Sequence, residues 1–411
     1  MRFQAASALL LGAAVAPAVQ AWGVAGHEIV ATIAQIFLTP TARHTLCGIL
    51  PASAKCHLAP IAAWADRVRN PYTGPLHYVN GLDDWPADHC SFGEHGWTDD
   101  ERNVLVGIWN STRNVAYLDG NERDFALRYL VHFMGDLHMP LHLIGRDRGG
   151  NKVPVRFDHR ITNLHSVWDG LLIAQSIRTL TNYTEPLPSK TIESALRGAI
   201  YDSYIRFIVW EGILGWWKDD YTNWANCPAV EDRSPVSIRS MEPPSMLESP
   251  LSFDEEDIHH HDDHEEEGDS FLLSMMELEG SQQHPLEGLQ APRRRPSSPP
   301  PPPLSSLPVC PYEWAKPIHE LNCNSTLIWP RFFSEMPPNT PIEHIPAKDL
   351  IQLDTPEYAG RVRKELVIER MMAMAGVRLA AVLNELLDPV DDDASAGFGK
   401  RSGAGVRVWN A

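Results

Sequence analysis

Much of this chain repeats apolar residues with the period of an α-helix. Ile29, Ile33 and Ile36 are spaced so that they would share one helical face. Residues 22–70 are therefore expected to be mostly helical, with a second helix over 61–69. The same pattern predicts further helices over 99–118, 123–138, the run that begins at 164–169, 190–226 and 356–387.

Strand signals are few. The clearest is Val153-Pro-Val-Arg-Phe, which follows the turn sequence Gly149-Gly-Asn151. Residues 76–80 also look extended, and the two segments are expected to pair in a small sheet. The pattern predicts a mainly α, single-domain helical fold with a small β element.

The first 21 residues have the features of a secretory signal peptide. Arg2 is followed by a short apolar run over 5–16, and Val19-Gln-Ala21 fits the small-x-small cleavage rule. The run is too short to span a membrane, and no later segment is a candidate. We expect cleavage after Ala21, secretion, no membrane association, and a free α-amino group on Trp22.

Six cysteines in a secreted chain suggest three disulfides, and sequence alone allows 15 pairings. Cys47 and Cys56 are close enough to close a local loop. A bridge between Cys227 and Cys310 would separate the segment between them from the fold. Sequons for N-glycosylation, which fit an extracellular surface, occur at Asn110, Asn182 and Asn324.

Residues 228–309 differ in composition from the rest of the chain. The segment 229–309 carries 17 acidic and 5 basic residues and ends in a proline run at 299–303. We expect a disordered insertion here, a single domain formed by 22–227 and 310–388, and a disordered tail over 389–411. The His259–His264 tract could bind metal, but a solvated low-complexity segment is the simpler interpretation.

The net charge of −18 argues against a nucleic-acid binder that relies on a basic surface. About two-thirds of that charge lies in the insertion, however. Buried metal ions would make the local field positive despite the total.

Residues 132–142 carry the most distinctive chemistry. His132 and Asp136 are four residues apart and would share one face of a helix. Pro140 would end or bend that helix, which leaves His142 beyond its end. Imidazole nitrogens and carboxylate oxygens that converge in this way are zinc ligands. Hydrogen-bonded structural histidines are the alternative, and the clustering favours metal.

The cluster belongs to a larger set of candidate ligands. They are the amino terminus of Trp22 and the side chains of His27, Asp66, His77, His132, Asp136, His142, His165 and Asp169. One tetrahedral zinc ion needs only four ligands, so this set indicates a multinuclear site.

The motifs that contain these residues resemble those of the nuclease S1/P1 family of zinc-dependent single-strand nucleases. They are Trp22-Gly-Val-Ala-Gly-His27, Trp64-Ala-Asp66-Arg-Val-Arg69, Leu76-His77-Tyr78, His132-Phe-Met-Gly-Asp136 with Pro140-Leu-His142, Gly149-Gly-Asn151-Lys152 and Asn163-Leu-His165-Ser-Val-Trp-Asp169. The resemblance covers about 22–226 and 310–388. It implies a helical fold of the phospholipase C/nuclease P1 type with three zinc ions.

The resemblance also implies how ligands and cysteines are shared. One zinc ion would be held by Asp66, His77, His132 and Asp136. A second would be held by the amino nitrogen and carbonyl oxygen of Trp22 with His27 and Asp136, so that Asp136 bridges the two. The third would be held by His142, His165 and Asp169. The implied disulfides are Cys90–Cys323, Cys47–Cys56 and Cys227–Cys310.

The implied activity is hydrolysis of single-stranded DNA and RNA to 5′-phosphorylated products, with action on 3′-nucleotides, by a monomer. Asp66 and Asp136 would serve catalysis as metal ligands, and Arg69 and Asn151 would contact the phosphate. Without the resemblance, a surface ion pair and turn formation would be the simpler roles of Arg69 and Asn151.

Two further residues are implied to contact the nucleobase. Tyr78 would stack on it, which tolerates any base and requires an unpaired strand. Asn80 departs from the family, which commonly has Asp there. Because Asn offers both a donor and an acceptor, we expect an altered or relaxed base preference.

Two other functions fit part of the pattern. A secreted zinc phospholipase C would share the mature amino-terminal Trp and a similar ligand set, but it would usually have Glu in place of Asp169 and lack the Gly-Gly-Asn and Trp-Ala-Asp contexts. A secreted zinc-binding protein without activity would not need Arg69 and Asn151.

Overall fold

The computed structural model describes residues 22–86, 90–180, 182–229, 232–233, 236–237, 303–323, 327–330, 333 and 345–388. The predicted signal peptide, most of the 228–309 insertion with its histidine tract, Asn324 and the 389–411 tail lie outside the described residues. The predicted disorder of these segments therefore stays a prediction.

Helices dominate the described residues. They are α1 (Val24–Ile36), α2 (Pro40–Ile49), α3 (Trp64–Arg67), α4 (Val104–Tyr117), α5 (Gly120–Asp136), α6 (Leu164–Ser166), α7 (Leu172–Thr179), α8 (Lys190–Ala195), α9 (Asp202–Phe207), α10 (Pro311–Cys323), α11 (Ala359–Lys364) and α12 (Val367–Leu387). One π-helical turn, Val167–Leu171, joins α6 to α7, and another, Ile208–Trp216, extends α9. The strands β1 (Pro154–Phe157) and β2 (Arg160–Asn163) form an antiparallel pair. The predicted mainly α fold with a small β element is confirmed.

The core is built around α1, α5 and α12, which pack against one another. The approach of α12 to α1 is so close that a Cβ atom on Gly376 would lie 2.4 Å from Cγ2 of Ile33. A second pair, α4 and α5, packs alongside. Because α1 and α5 both carry predicted ligands, this packing brings those ligands to one place.

The predicted pairing of 76–80 with 153–157 is wrong. Instead, β1 pairs with β2 across Asp158 and His159, whose φ angles are 50° and 63°. Two positive φ angles match the twist of a tight hairpin, so the nearest segment in sequence becomes the partner. Residues Gly74–His77 form a 3₁₀ turn.

Several predicted helices are shorter than expected. Over 61–69, only α3 is α-helical, and a 3₁₀ turn, Ala59–Ile61, precedes it. The helix predicted over 99–118 begins at Val104, because the side chain of Asn103 accepts hydrogen bonds from the first turn and caps it. The 190–226 helix is broken into α8, α9, the second π-helical turn and a 3₁₀ turn. Nothing in the periodicity predicted α10, which contains Pro317.

The structure contains the disulfides Cys47–Cys56, Cys90–Cys323 and Cys227–Cys310, which are the pairs implied by the resemblance.

Of the sequons, Asn182 is exposed, whereas Asn110 lies inside α4 with a buried Oδ1 atom. Glycosylation stays a prediction. No helix among the described residues has both the length and the apolar character needed to cross a membrane.

Candidate metal centre

The site is centred on the last turn of α5. His132 and Asp136 lie one turn apart on the same face, both fully buried, with His132 Nε2 at 3.3 Å from Asp136 Oδ2. From α3 and the turn after it come Asp66 and His77. Nδ1 of His77 is 3.0 Å from Asp136 Oδ2, and Oδ1 of Asp66 is 3.5 Å from His132 Nε2. Two carboxylates and two imidazoles therefore converge.

His27, on the first turn of α1, completes this side of the site. Its ring stacks on that of His132 with centroids 3.8 Å apart, and its Nε2 is 3.5 Å from Asp136 Oδ1. The stacking is possible because residue 135 is glycine. A Cβ there would lie 2.6 Å from His27 Nδ1.

The third predicted ligand group lies beside the first two. His165 Nε2 is 2.9 Å from Asp169 Oδ2, and His142 Nε2 is 3.7 Å from Asp169 Oδ1. His142 also reaches back, with Nδ1 at 3.3 Å from Asp136 Oδ1. His142 thus links the two halves of the candidate site.

Backbone carbonyls orient three of the imidazoles. The Nδ1 atoms of His132, His142 and His165 lie 2.8, 2.9 and 2.7 Å from the carbonyl oxygens of Ala62, His77 and Gly149, respectively. A ring that donates through Nδ1 presents Nε2 as a lone-pair donor. In each case Nε2 then faces the carboxylates.

The charges in the site are strongly coupled. Burial alone would raise the pKa of Asp136, but His132 and His142 hold that pKa well below its usual value. Burial lowers the pKa of His27, and lowers the pKa of His77 to about 4. His132 behaves in the opposite way: although burial opposes it, Asp136 and Asp66 raise the pKa of His132 to about 10. A cation that binds here would take the place of the proton on His132, because metal ligation needs the neutral ring.

Metal ions fit this set of residues on the structure's own geometry. Several buried atoms in the site make no hydrogen bond, although imidazole nitrogens lie close to them: His27 Nε2, Asp66 Oδ1, Asp136 Oδ1 and both carboxylate oxygens of Asp169. Each unpaired buried polar atom costs about 1–3 kcal/mol, so a cluster of them calls for a partner. Three groups have ligand atoms within 4.8 Å of one another: His27 with Asp66 and His132, His77 with His132 and Asp136, and His142 with His165 and Asp169.

Trp22 lies next to this centre. Its side chain is 1% exposed, and the backbone N–H of Gly23 donates to the carbonyl oxygen of Asp169 at 2.9 Å. Gly26 allows the tryptophan ring to pack against α1, since a Cβ there would be 2.8 Å from the ring. The chain therefore enters α1 beside a predicted ligand of the third group.

The two predicted phosphate contacts lie at the rim. Arg69 is exposed, and its Nη2 lies 3.5 Å from the Gly74 carbonyl oxygen. Its charge adds to the burial effect that lowers the pKa of His77. Asn151 is exposed and donates one Nδ2 hydrogen to the Arg148 carbonyl oxygen at 2.8 Å, which leaves its other N–H available.

An unusual turn positions Asn151. The four residues Asp147–Gly150 all have left-handed backbone conformations, with φ angles of 49°, 55°, 61° and 79°. Only the last two are glycines, so Asp147 and Arg148 are strained. The turn also supplies the Gly149 carbonyl that orients His165, and a Cβ on Gly149 would lie 2.5 Å from the Leu141 carbonyl oxygen.

The predicted base-contacting residues follow His77. Tyr78 is 38% exposed, so part of this aromatic residue is open to a ligand. The backbone around it is held, because the Tyr78 and Asn80 carbonyls accept from the N–H groups of Val104 and Thr98. The Asn80 side chain packs against Gly145, where a Cβ would approach it to 3.3 Å.

The glycines that the site requires were not predicted from the sequence. Gly135 leaves room for the His27 ring. An isolated glycine inside a helical pattern, which often has a packing reason, was the available signal.

His138, which is not among the predicted ligands, makes hydrogen bonds outside the site. Its Nδ1 is 2.7 Å from the Met134 carbonyl oxygen, and Arg378 Nη1 donates to its Nε2 at 2.7 Å.

Comparison with known proteins agrees with this geometry. The family model described as S1/P1 Nuclease matches residues 22–236. Endonuclease 2 of Arabidopsis thaliana is 34% identical over 227 residues, which are 52% of this chain and 71% of that protein. Nuclease P1 of Penicillium citrinum is 37% identical over 154 residues, covering 36% and 57% of the two chains. Nuclease S1 of Aspergillus oryzae is 32% identical over 161 residues, covering 38% and 56%.

The Gly135 contact leads to a testable prediction. In Gly135→Ala, the new methyl group displaces the His27 ring, and metal affinity should fall about 10- to 100-fold, as when ligand orientation is lost elsewhere. Metal analysis after dialysis against graded chelator measures this. Gly48→Ala is the matched control, because a Cβ there meets nothing within 4 Å. Equal metal retention by the two variants would contradict the prediction.

Proposed function

Because the chain belongs to the S1/P1 nuclease family, we propose that it is a zinc-dependent endonuclease that hydrolyses single-stranded DNA and RNA to 5′-phosphorylated products. Family membership makes the chain a hydrolytic nuclease whose substrates are nucleic acids. The specificity for single strands, the action on 3′-nucleotides and the identity and number of metal ions are the proposal.

The observation that carries the proposal is the convergence of buried imidazoles and carboxylates, several of whose ligand atoms make no hydrogen bond. Nitrogen and oxygen donors of this kind suit zinc. We assign one ion to Asp66, His77, His132 and Asp136, a second to Trp22, His27 and Asp136, and a third to His142, His165 and Asp169. When bound, such ions lower the pKa of a coordinated water and neutralise charge on a phosphoryl group.

The remaining catalytic roles fall to exposed groups at the rim. Arg69 presents a guanidinium, which can pair with phosphate oxygens in a bidentate manner and stabilise the charge of the transition state. The free N–H of Asn151 is a neutral donor for another phosphate oxygen, and the strained turn fixes where it points. Asp66 and Asp136 stay ionised, because neighbouring imidazoles lower the pKa of each despite burial.

Selectivity for single strands follows from Tyr78. Stacking on an exposed aromatic face requires a base that is free of its partner, and it does not depend on which base is present. A chain with a net charge of −18 has little general attraction for a duplex. Substrate binding would then rest on the local centre and on stacking.

Secretion and processing belong to the same proposal. Removal of residues 1–21 would leave the Trp22 amine free to act as a ligand beside Asp169. The domain would comprise 22–227 and 310–388, with 228–309 as an insertion, and it would act as a monomer.

The phospholipase C and non-catalytic alternatives find no support in the comparisons, which are to nucleases.

Processing can be tested directly. The secreted protein should begin at Trp22, as read by N-terminal sequencing and intact mass. A different first residue would remove the amine ligand from the second ion. The metal content of the same sample should then fall short of three zinc ions per chain.

The central test of function uses Asp136→Asn. Loss of a bridging ligand should lower the release of acid-soluble nucleotides from denatured DNA by more than about 100-fold, even in excess zinc. Asp124→Asn is the matched control, because Asp124 lies on the same helix but pairs with Arg128. Native duplex DNA should be cleaved far more slowly than denatured DNA by the wild type. Comparable activity of Asp136→Asn and wild type, or equal cleavage of the two substrates, would refute the proposal.

Base preference is tested by Asn80→Asp. Asn can donate to or accept from a base edge, whereas an ionised Asp only accepts. The wild type should therefore cleave four homopolymers at more similar rates than the variant does. Identical profiles of wild type and variant would show that Asn80 does not read the base.

A further inference from the structure

The Cys90–Cys323 disulfide joins the loop after Asn80 to the C-terminal end of α10. Its two sulfurs are in different surroundings. Cys90 is exposed, whereas Cys323 is half-buried. Beside Cys323 lie two buried polar side chains, Asp84 and His319, which have no role in the metal centre.

His319 is held between a carboxylate and a sulfur. Its Nε2 lies 2.6 Å from Asp84 Oδ2, and its Nδ1 lies 3.8 Å from Cys323 Sγ. Asp84 is itself fixed, since its Oδ1 accepts from the Ser91 N–H at 3.2 Å. The ring of Phe92 stacks on the imidazole with centroids 4.5 Å apart. The order carboxylate, imidazole, sulfur is therefore set by packing.

This order of groups stabilises a thiolate. A carboxylate fixes the orientation of the imidazole so that its Nδ1 faces the sulfur, and an N–H group aimed at a sulfur anion stabilises that anion. While the disulfide is intact, no thiolate is present. The arrangement acts when the bond opens, because a stabilised thiolate leaves faster in thiol–disulfide exchange.

We propose that the Cys90–Cys323 bridge is a site of reversible modification by small thiols such as glutathione. The incoming thiolate attacks Sγ of Cys90, the more exposed residue of the pair, and a new sulfur–sulfur bond forms there. The Cys90–Cys323 bond breaks, and its electron pair stays on Cys323 Sγ. The proton that the incoming thiol has lost ends on the His319–Cys323 pair. The reverse attack by Cys323 on the mixed disulfide restores the bridge and releases the thiol.

The Cys47–Cys56 bridge serves as an internal comparison for the rate of thiol–disulfide exchange. Cys56 is exposed, as Cys90 is, so access to an incoming thiol is comparable. Within the described part of the chain, however, neither of these sulfurs has an imidazole nitrogen at hydrogen-bond distance. The two bridges differ in the His319–Asp84 pair and in the sequence separation that they span, which is 9 residues for Cys47–Cys56 and 233 for Cys90–Cys323.

The location gives the modification a consequence. The loop that starts at Gly81 returns through a bridge between Gly81 and Trp97, and Thr98 then donates to the Asn80 carbonyl oxygen at 2.9 Å. Opening the disulfide removes the covalent link between α10 and this loop, which lies next to the predicted nucleobase contact. This link to substrate binding rests on the proposed function, whereas the exchange chemistry does not.

The test is a cysteine map of the oxidised full chain after exposure to reduced glutathione under native conditions, with free thiols alkylated before mass spectrometry. We expect glutathione on Cys90, the alkyl label on Cys323, and opening of this bridge about tenfold faster than Cys47–Cys56. Glutathione on Cys323, or faster opening of Cys47–Cys56, would overturn the proposal.

Two variants isolate the role of the imidazole. His319→Gln should slow the opening of Cys90–Cys323 about tenfold relative to the wild-type protein. His95→Gln is the control. His95 is an exposed histidine of the same loop, with its Nε2 at 3.7 Å from Asp83 Oδ2, and its replacement should leave the rate of disulfide opening unchanged. An unaltered rate in folded His319→Gln contradicts the proposal. If that variant does not fold, the position of glutathione in the wild-type protein decides the matter alone.

Discussion

One buried carboxylate organises this molecule. Asp136 has no exposed surface, and four imidazoles, from His27, His77, His132 and His142, lie within 3.5 Å of its oxygens. Those histidines come from α1, the turn after α3, α5 and the turn that follows α5. An ionised group this deep is tolerated only if opposite charge lies beside it. Against the effect of burial, Asp136 raises the pKa of His132 and of His142, so these two rings supply that charge. The helices that bring the imidazoles together are thus tied to the electrostatic needs of one side chain.

Close helix packing and backbone carbonyls hold these imidazoles in place. The close crossing of α12 over α1 at Gly376 fixes α1, while the carbonyls of Ala62, His77 and Gly149 fix three rings. The groups that would touch a substrate are treated differently. Arg69, Tyr78 and Asn151 are exposed on short turns, so that a strand can reach them. The predicted metal ligands are therefore buried, whereas the predicted substrate contacts are exposed.

Sequence accounts well for features that depend on local spacing. The four-residue interval between His132 and Asp136 predicted a shared helical face, and Pro140 predicted that His142 lies past the helix end; both agree with the structure. The hairpin partner of β1 was missed, because the positive φ angles of Asp158 and His159 are not encoded by glycine. The turn at Asp147 and Arg148 was not predicted for the same reason, since these residues also have positive φ angles without being glycine. α10 was missed because Pro317 argues against a helix that tertiary packing nevertheless stabilises.

The unpaired buried atoms of Asp66, Asp136 and Asp169 bear on how the chain folds as well as on what it does. Each is a penalty on the native state that the proposed metal ions would remove, because the folded site gathers ligand atoms that the unfolded chain does not. By mass action, an ion at a thousand times its dissociation constant adds about 4 kcal/mol to the free energy of unfolding. That is a large part of the total for a typical domain. On the proposed metal binding, the free metal concentration in the compartment where this chain folds would affect the amount of folded protein as well as its activity.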